Sequence, residues 1–206
     1  MTSTPFPSAS VTLAARASVR RGALIVVEGV DRSGKSTQCA TLVERLNTGA
    51  SGTPSALAMR FPDRTTDTGR LIDAYLQGHG NAGLDDRTIH LLFAANRAEA
   101  MGVLKANLLA GTTVVIDRYA FSGVAYTHAK NAPGLDVEWC KSVDAGILKP
   151  DLVLFLDIPP KDASLRGEYG SERYEKLGFQ EKVRECFMEL VDKEYWKVST
   201  RLIFFL

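Results

Sequence analysis

The sequence predicts an α/β domain in which a parallel sheet is covered by helices on both faces. Two observations lead there. From Gly22 onward, short continuous apolar runs alternate with longer amphipathic stretches, the pattern of strands buried on both faces and joined by helical crossovers. The first apolar run leads directly into a glycine-punctuated turn, Glu28 to Ser36, that opens a helix. Such a turn lies at the carboxyl end of a strand, where open α/β sheets bind ligands.

The elements follow in order. Residues 23–27 (ALIVV) read as the first strand, and the helix after the turn carries Leu42, Val43 and Leu46 on its inner face. Residues 55–60 form a second strand, stopped by Phe61-Pro62. A short helix follows, with Leu71, Ile72, Tyr75 and Leu76 at helical spacing. Asp85 or Asp86 caps a long helix whose apolar stripe is Ile89, Leu92, Phe93, Val103, Leu104 and Leu108, and Gly111 ends it. Residues 112–116 and 151–156 are the third and fourth strands, with Pro159-Pro160 opening a helix after the latter. Residues 167–175 are polar and glycine-bearing, as in a mobile loop, and residues 179–194 form a last helix with Val183, Cys186, Phe187 and Leu190 inward.

Composition bounds the function. The 206 residues are 45% hydrophobic and 24% charged, the balance of a globular protein that builds one core unaided. A net charge of +1 leaves no electrostatic footprint for nucleic acid. No apolar run approaches the ~18 residues of a membrane span. Neither nucleic acid nor membrane is therefore expected as a partner. Cys39, Cys140 and Cys186 are widely spaced and form no C-x-x-C, which argues against a disulfide scaffold or zinc site and fits a reducing compartment. Residues 1–21 are rich in Ser, Thr and Ala, hold Arg16, Arg20 and Arg21, and lack any carboxylate. That composition fits a mitochondrial or plastid presequence, and equally a plain N-terminal extension.

The strongest chemical signal is Gly29-Val-Asp-Arg-Ser33-Gly34-Lys35-Ser36-Thr37, a full match to G-x-x-x-x-G-K-[ST] in strand–turn–helix context. The glycines let backbone N–H groups curl round phosphate oxygens at a helix N-terminus. Lys35 reaches the outer phosphates and Ser36 can ligate Mg²⁺. A nucleoside triphosphate is the ligand this motif implies, with Gly29, Ser33, Gly34 and Thr37 as further phosphate-binding candidates. A guanine-reading N-K-x-D is not found: Leu148-Lys149-Pro150-Asp151 lacks the Asn and leads straight into a strand. Phosphoryl transfer needs cations for donor and acceptor phosphates. Arg32 in the loop, Arg64 after the second strand and Arg118 after the third are placed for that. Phe93 and Arg97 share a helix face, where an aromatic ring can stack on a base and a guanidinium can donate to it.

These blocks together resemble the eukaryotic-type thymidylate kinases (dTMP kinases): LIVVEGVDRSGKSTQ, RFPDRTTDTG, HLLFAANR, VVIDRYAFSGVAYT, KPDLVLFLD and GSERYE-x-x-x-FQE, from about Gly22 to Trp196. The resemblance implies a nucleoside-monophosphate-kinase-like P-loop fold, with a five-stranded parallel sheet, a short lid and homodimer formation. It implies phosphoryl transfer from ATP to dTMP, within dTTP biosynthesis, in the cytoplasm or nucleus. By matching position, Asp31 binds the deoxyribose 3′-OH and Arg32 bridges to the transferring group. Phe61, Arg64 and Arg118 line the dTMP site, and Asp117 orients the metal and its waters. Phe93 stacks on thymine, Arg97 donates to its O4, and Tyr126 and Tyr174 wall the base and sugar. Arg166 and Arg173 in the lid approach ATP. Alternatives stay open: a shifted preference for dUMP, or a nucleotide-binding but catalytically impaired form. The chain departs from the family after Trp196-Lys197-Val198, ending Arg201-Leu-Ile-Phe-Phe-Leu206 where the family continues into a final helix. The expected domain, residues 22–206, lacks that helix, with weaker nucleotide affinity as the expected effect.

Overall fold

The central strand of the sheet, β1 (Leu24–Glu28), pairs in parallel with β3 (Thr113–Asp117) on one side and β4 (Leu152–Leu156) on the other. Beyond these lie β2 (Ala56–Arg60) and β5 (Trp196–Ser199), giving the order β2-β3-β1-β4-β5. The computed structural model describes residues 20–48, 55–78, 83–166 and 169–200. The presequence-like stretch up to residue 19 and the final apolar residues 201–206 lie outside them.

The inner strands are apolar because helices cover both faces: Val26, Val114, Val115, Ile116, Val153 and Phe155 are fully buried. The edge strand β2 instead alternates between buried and exposed positions. Asp151, read above as a strand start and not a guanine reader, accepts hydrogen bonds from the Leu24 amide at 2.8 Å and from Arg21 at 2.5 and 2.7 Å. Its side chain thereby pins the first residues of β4 to those of β1.

The helices correct the expectation in several places. α1 (Lys35–Asn47) tucks Leu42 and Val43 against the core but leaves Leu46 partly exposed. α2 (Asp67–Leu76) buries Ile72, Tyr75 and Leu76, while Leu71 faces outward. The predicted long helix is two: α3 (Asp86–Glu99), capped by Asp85, and α4 (Met101–Leu109), divided at Ala100. The break has a packing reason. Ile89 joins Ile72, Tyr75 and Leu76 in a small cluster against α2, whereas Leu104 and Leu108 belong to the main core. A single straight stripe would not serve both, and Val103 is exposed. α5 (Ala120–His128) and α6 (Val137–Ser142) were not foreseen. α7 (Pro160–Ser164) opens on its proline as expected. α8 (Leu177–Leu190) starts two residues before the predicted helix and stops at Val191, whose backbone is extended. α5 packs on α3, α6 and α8, and this brings its residues to the carboxyl ends of the strands.

Candidate active site

The turn after β1 wraps into a cradle. Gly34 at the N-terminus of α1 has φ 96°, and Arg32 within the turn has φ 60°. Alternation of this kind points successive N–H groups inward, a concavity suited to phosphate. Lys35 is buried and donates from Nζ to the Val30 carbonyl at 2.6 Å, with Ser33 Oγ at 3.2 Å. Ser36 donates to Asp117 Oδ2 at 2.6 Å, so the ends of β1 and β3 meet there. Thr37 is exposed in the first turn of α1.

Burial, assisted by the positive charge of Arg118, lowers the Lys35 ammonium from the lysine range to about 7. A phosphate oxygen in the cradle favours the charged form. Nucleotide binding at pH 8 is thus expected to take up close to one proton. Calorimetry in two buffers of different ionisation enthalpy reads that uptake, and equal binding heats in both would refute it.

Asp31 and Arg118 form the next layer. The Arg118 guanidinium donates to Asp31 Oδ1, to the Gly29 carbonyl at 3.1 Å and to Ser122 Oγ at 3.3 Å. Like Arg32, Arg118 holds a left-handed backbone, φ 67°, conformations that concentrate at functional sites. Three groups that sequence reasoning assigned no role hold this layer. Glu28, fully buried, accepts from the Tyr119 and Ser122 amides and from Ser122 Oγ at 2.6 Å, fixing the start of α5. Gln180 on α8 grips Asp31 from both sides, accepting from its amide at 2.9 Å and donating to Oδ2 at 2.6 Å. Glu175 accepts from Arg32 Nε at 2.8 Å and from the Gly170 and Ser171 amides at 2.8 and 2.9 Å. Although burial opposes its charge, those partners hold the Glu175 carboxyl below its ordinary range.

The lid segment is tied down at several points. Arg64 bridges Asp73 of α2 at 2.6 Å and Glu172 at 2.7 Å. Arg166 donates to the Arg32 carbonyl at 2.6 Å, placing it against the cradle. Arg173 lies elsewhere: it donates from Nε to the Tyr75 carbonyl at 3.1 Å and stacks 4.1 Å over the Tyr75 ring.

Between these parts opens a cavity of about 270 Å³, lined by Phe61, Phe93, Arg97, Tyr126 and Tyr174, with Asp31, Arg64 and Arg118 at its polar end. Tyr126 and Tyr174 stand 5.6 Å apart, and Arg118 lies 5.3 Å over Tyr126. Arg97 is not a free surface arginine. It is 2% exposed and doubly bonded to Asp144, from Nε at 2.8 Å and Nη2 at 2.6 Å. Gly123 on α5 makes room for it, since a Cβ there would sit 2.9 Å from Arg97 Nη2. Thr127, one turn on, also lines the cavity and lies 2.7 Å from His90 Nδ1. The outer side of His90 packs on Trp139 at 5.1 Å between ring centroids.

A phosphate cradle, convergent arginines and a side cavity walled by aromatic rings, all at the carboxyl ends of parallel strands, define a P-loop phosphotransferase of the nucleoside monophosphate kinase type. A family model described as thymidylate kinase matches residues 27–201, and the chain belongs to the thymidylate kinase family. It is 54% identical to the thymidylate kinase of Danio rerio over 183 residues, covering 88% of this chain and 83% of that one. Identity to the Arabidopsis thaliana thymidylate kinase is 53% over 178 residues, 86% of this chain and 64% of the relative, so the chain spans under two thirds of that protein. The solved structure of a thymidylate kinase from Candida albicans is similar at a TM-score of 0.78 and 38% identity, over 87% of this chain and 83% of that one.

Proposed function

We propose that this chain transfers the γ-phosphoryl group of ATP to the 5′-phosphate of dTMP, giving ADP and dTDP for dTTP synthesis. The observation that carries the reading is the adjacency of the Lys35 cradle to an aromatic cavity whose polar end holds Asp31, Arg64 and Arg118. In this reading Lys35, the loop amides and Arg166 bind the donor phosphates. Arg64 and Arg118 hold the acceptor phosphate, and Arg32 faces the group in flight, where a preorganised cation counts most. Phe93, Tyr126 and Tyr174 enclose the base and sugar, and Arg97 donates to the base. Asp31 receives the sugar hydroxyl. Arg173, seated on α2, serves by anchoring the lid.

Ser36 and Asp117 fit a Mg²⁺ ion: both are oxygen donors of the kind this ion takes, and Asp117 Oδ1 is buried without a hydrogen-bond partner among the described residues. When bound, the ion supplies neutralisation of phosphate charge. A homodimer is what the family likeness implies, and sedimentation velocity tests it. No described helix is long and apolar enough to cross a membrane.

The direct test is ADP release from Mg·ATP with dTMP, dUMP, dCMP, UMP and AMP as acceptors. Turnover strongest with dTMP is expected. Preference for dUMP would move the acceptor assignment, and no turnover with any acceptor would overturn the reading.

A further inference from the structure

His90 is fully buried on α3, and phosphoryl transfer makes no use of it. Its Nε2 lies 3.1 Å from the Cys140 carbonyl oxygen and its Nδ1 2.7 Å from Thr127 Oγ1. A carbonyl oxygen only accepts, so Nε2 carries the hydrogen. Burial pushes the imidazole below its ordinary range and outweighs the upward pull of the Cys140 carbonyl; Arg97 adds to the push, and Asp144 and the Gly123 carbonyl pull upward more weakly. The ring is then neutral, and Nδ1 offers only a lone pair. The hydroxyl of Thr127 must donate to it. Thr127 lines the cavity, and with its single hydrogen committed its Oγ1 has only lone pairs left to offer there.

We infer that His90 is a positioning residue for base selection: by accepting the Thr127 hydroxyl proton, it fixes Thr127 Oγ1 as an acceptor in the cavity wall, which selects a pyrimidine bearing hydrogen on N3. The inference rests on reading the cavity as the dTMP site. Thymine and uracil offer an N3–H donor beside the O4 acceptor, whereas cytosine offers an N3 acceptor beside an amino donor. Arg97 can only donate, so the pair Arg97 and Thr127 complements the first pattern and opposes the second at both atoms. The carboxylate of Asp144 on one side and the imidazole of His90 on the other each remove a rotational choice from the group that meets the base. A wall of this kind discriminates by leaving the wrong base with facing like groups, a stronger device than shape alone.

Dissociation constants for dTMP and 5-methyl-dCMP, which differ only along this edge, test the inference. In the wild type dTMP should bind far more tightly. Thr127→Val keeps the shape and removes the acceptor; it should weaken dTMP about fivefold to tenfold, the worth of one neutral hydrogen bond, and leave 5-methyl-dCMP unchanged or tighter. His90→Leu frees the hydroxyl to rotate and donate, so 5-methyl-dCMP should tighten while dTMP changes little. In the Thr127→Val background His90→Leu should no longer alter the ratio of the two constants. General loosening of the fold would weaken both ligands in proportion. An unchanged ratio in Thr127→Val, or proportional weakening in His90→Leu, overturns the inference while dTMP binding still stands. Failure of the wild type to bind dTMP overturns the function proposed above, and this inference with it.

Discussion

Lys35→Met is expected to lose about a hundredfold to a thousandfold in turnover, the scale seen when a preorganised transition-state donor is removed, yet to melt no lower than the wild type at pH 6. The two halves have one cause. Lys35 is buried at the base of the cradle, with a folded pKa near 7 against an ordinary 10.5. Below pH 7 the unliganded fold carries a desolvated ammonium, a cost the unfolded chain does not bear. Between about 7 and 10.5 the unfolded chain binds the extra proton, so wild-type stability rises with pH across that window. Methionine carries no such term, and the difference in Tm should move toward the wild type from pH 6 to pH 9. The charge is kept because phosphate needs it, at the expense of the empty site. Thermal melts at the two pH values, beside single-turnover rates, check both halves; a variant with most of its rate intact would remove Lys35 from the chemistry.

Asp144→Ala is expected to cost about 3–5 kcal/mol of stability, the penalty for leaving a buried charge without its partner. For a chain of this length that is a fall in Tm of roughly 6–20 °C. Arg97 is 2% exposed and Asp144 8%, so the pair is shielded from bulk solvent. The variant should also bind dTMP poorly, because nothing then aims the guanidinium. Asp144→Asn, which keeps an acceptor for one of the two hydrogen bonds, should fall between. Equal melting of Asp144→Ala and wild type by calorimetry would contradict the burial of the pair.

The sheet was legible because its strands are local. Each is a run of apolar residues bounded by a turn, and four of the five can be read within one residue of their place. The fifth, Trp196–Ser199, is short and half-exposed and came only through family likeness. The cradle was legible for the same reason, since its residues are consecutive. α5 was hidden because Ala-Phe-Ser-Gly-Val-Ala-Tyr-Thr-His carries small residues and no polar face, packed as it is on several helices. The groups that hold the site were hidden by distance in sequence. Gln180 meets Asp31 across 149 positions, Glu175 meets Arg32 across 143, and Asp144 meets Arg97 across 47. No periodicity links such pairs, so sequence pattern marked the arginines and missed what aims them. Most of the residues that converge on the cradle and cavity were visible, and little of what supports them.

The tryptophan beside His90 makes this wall of the cavity optically addressable. Of the two tryptophans in the chain, Trp196 is deep in the sheet against Phe121 and Phe155, while Trp139 is pressed between the imidazole and the Arg87 guanidinium, 4.5 Å from its ring centre. The two indoles therefore sense different events. With Trp196 replaced by phenylalanine, the remaining emission tracks the cavity wall at His90 and Thr127, and a shift ahead of the far-ultraviolet melting transition marks that wall loosening before the strands part.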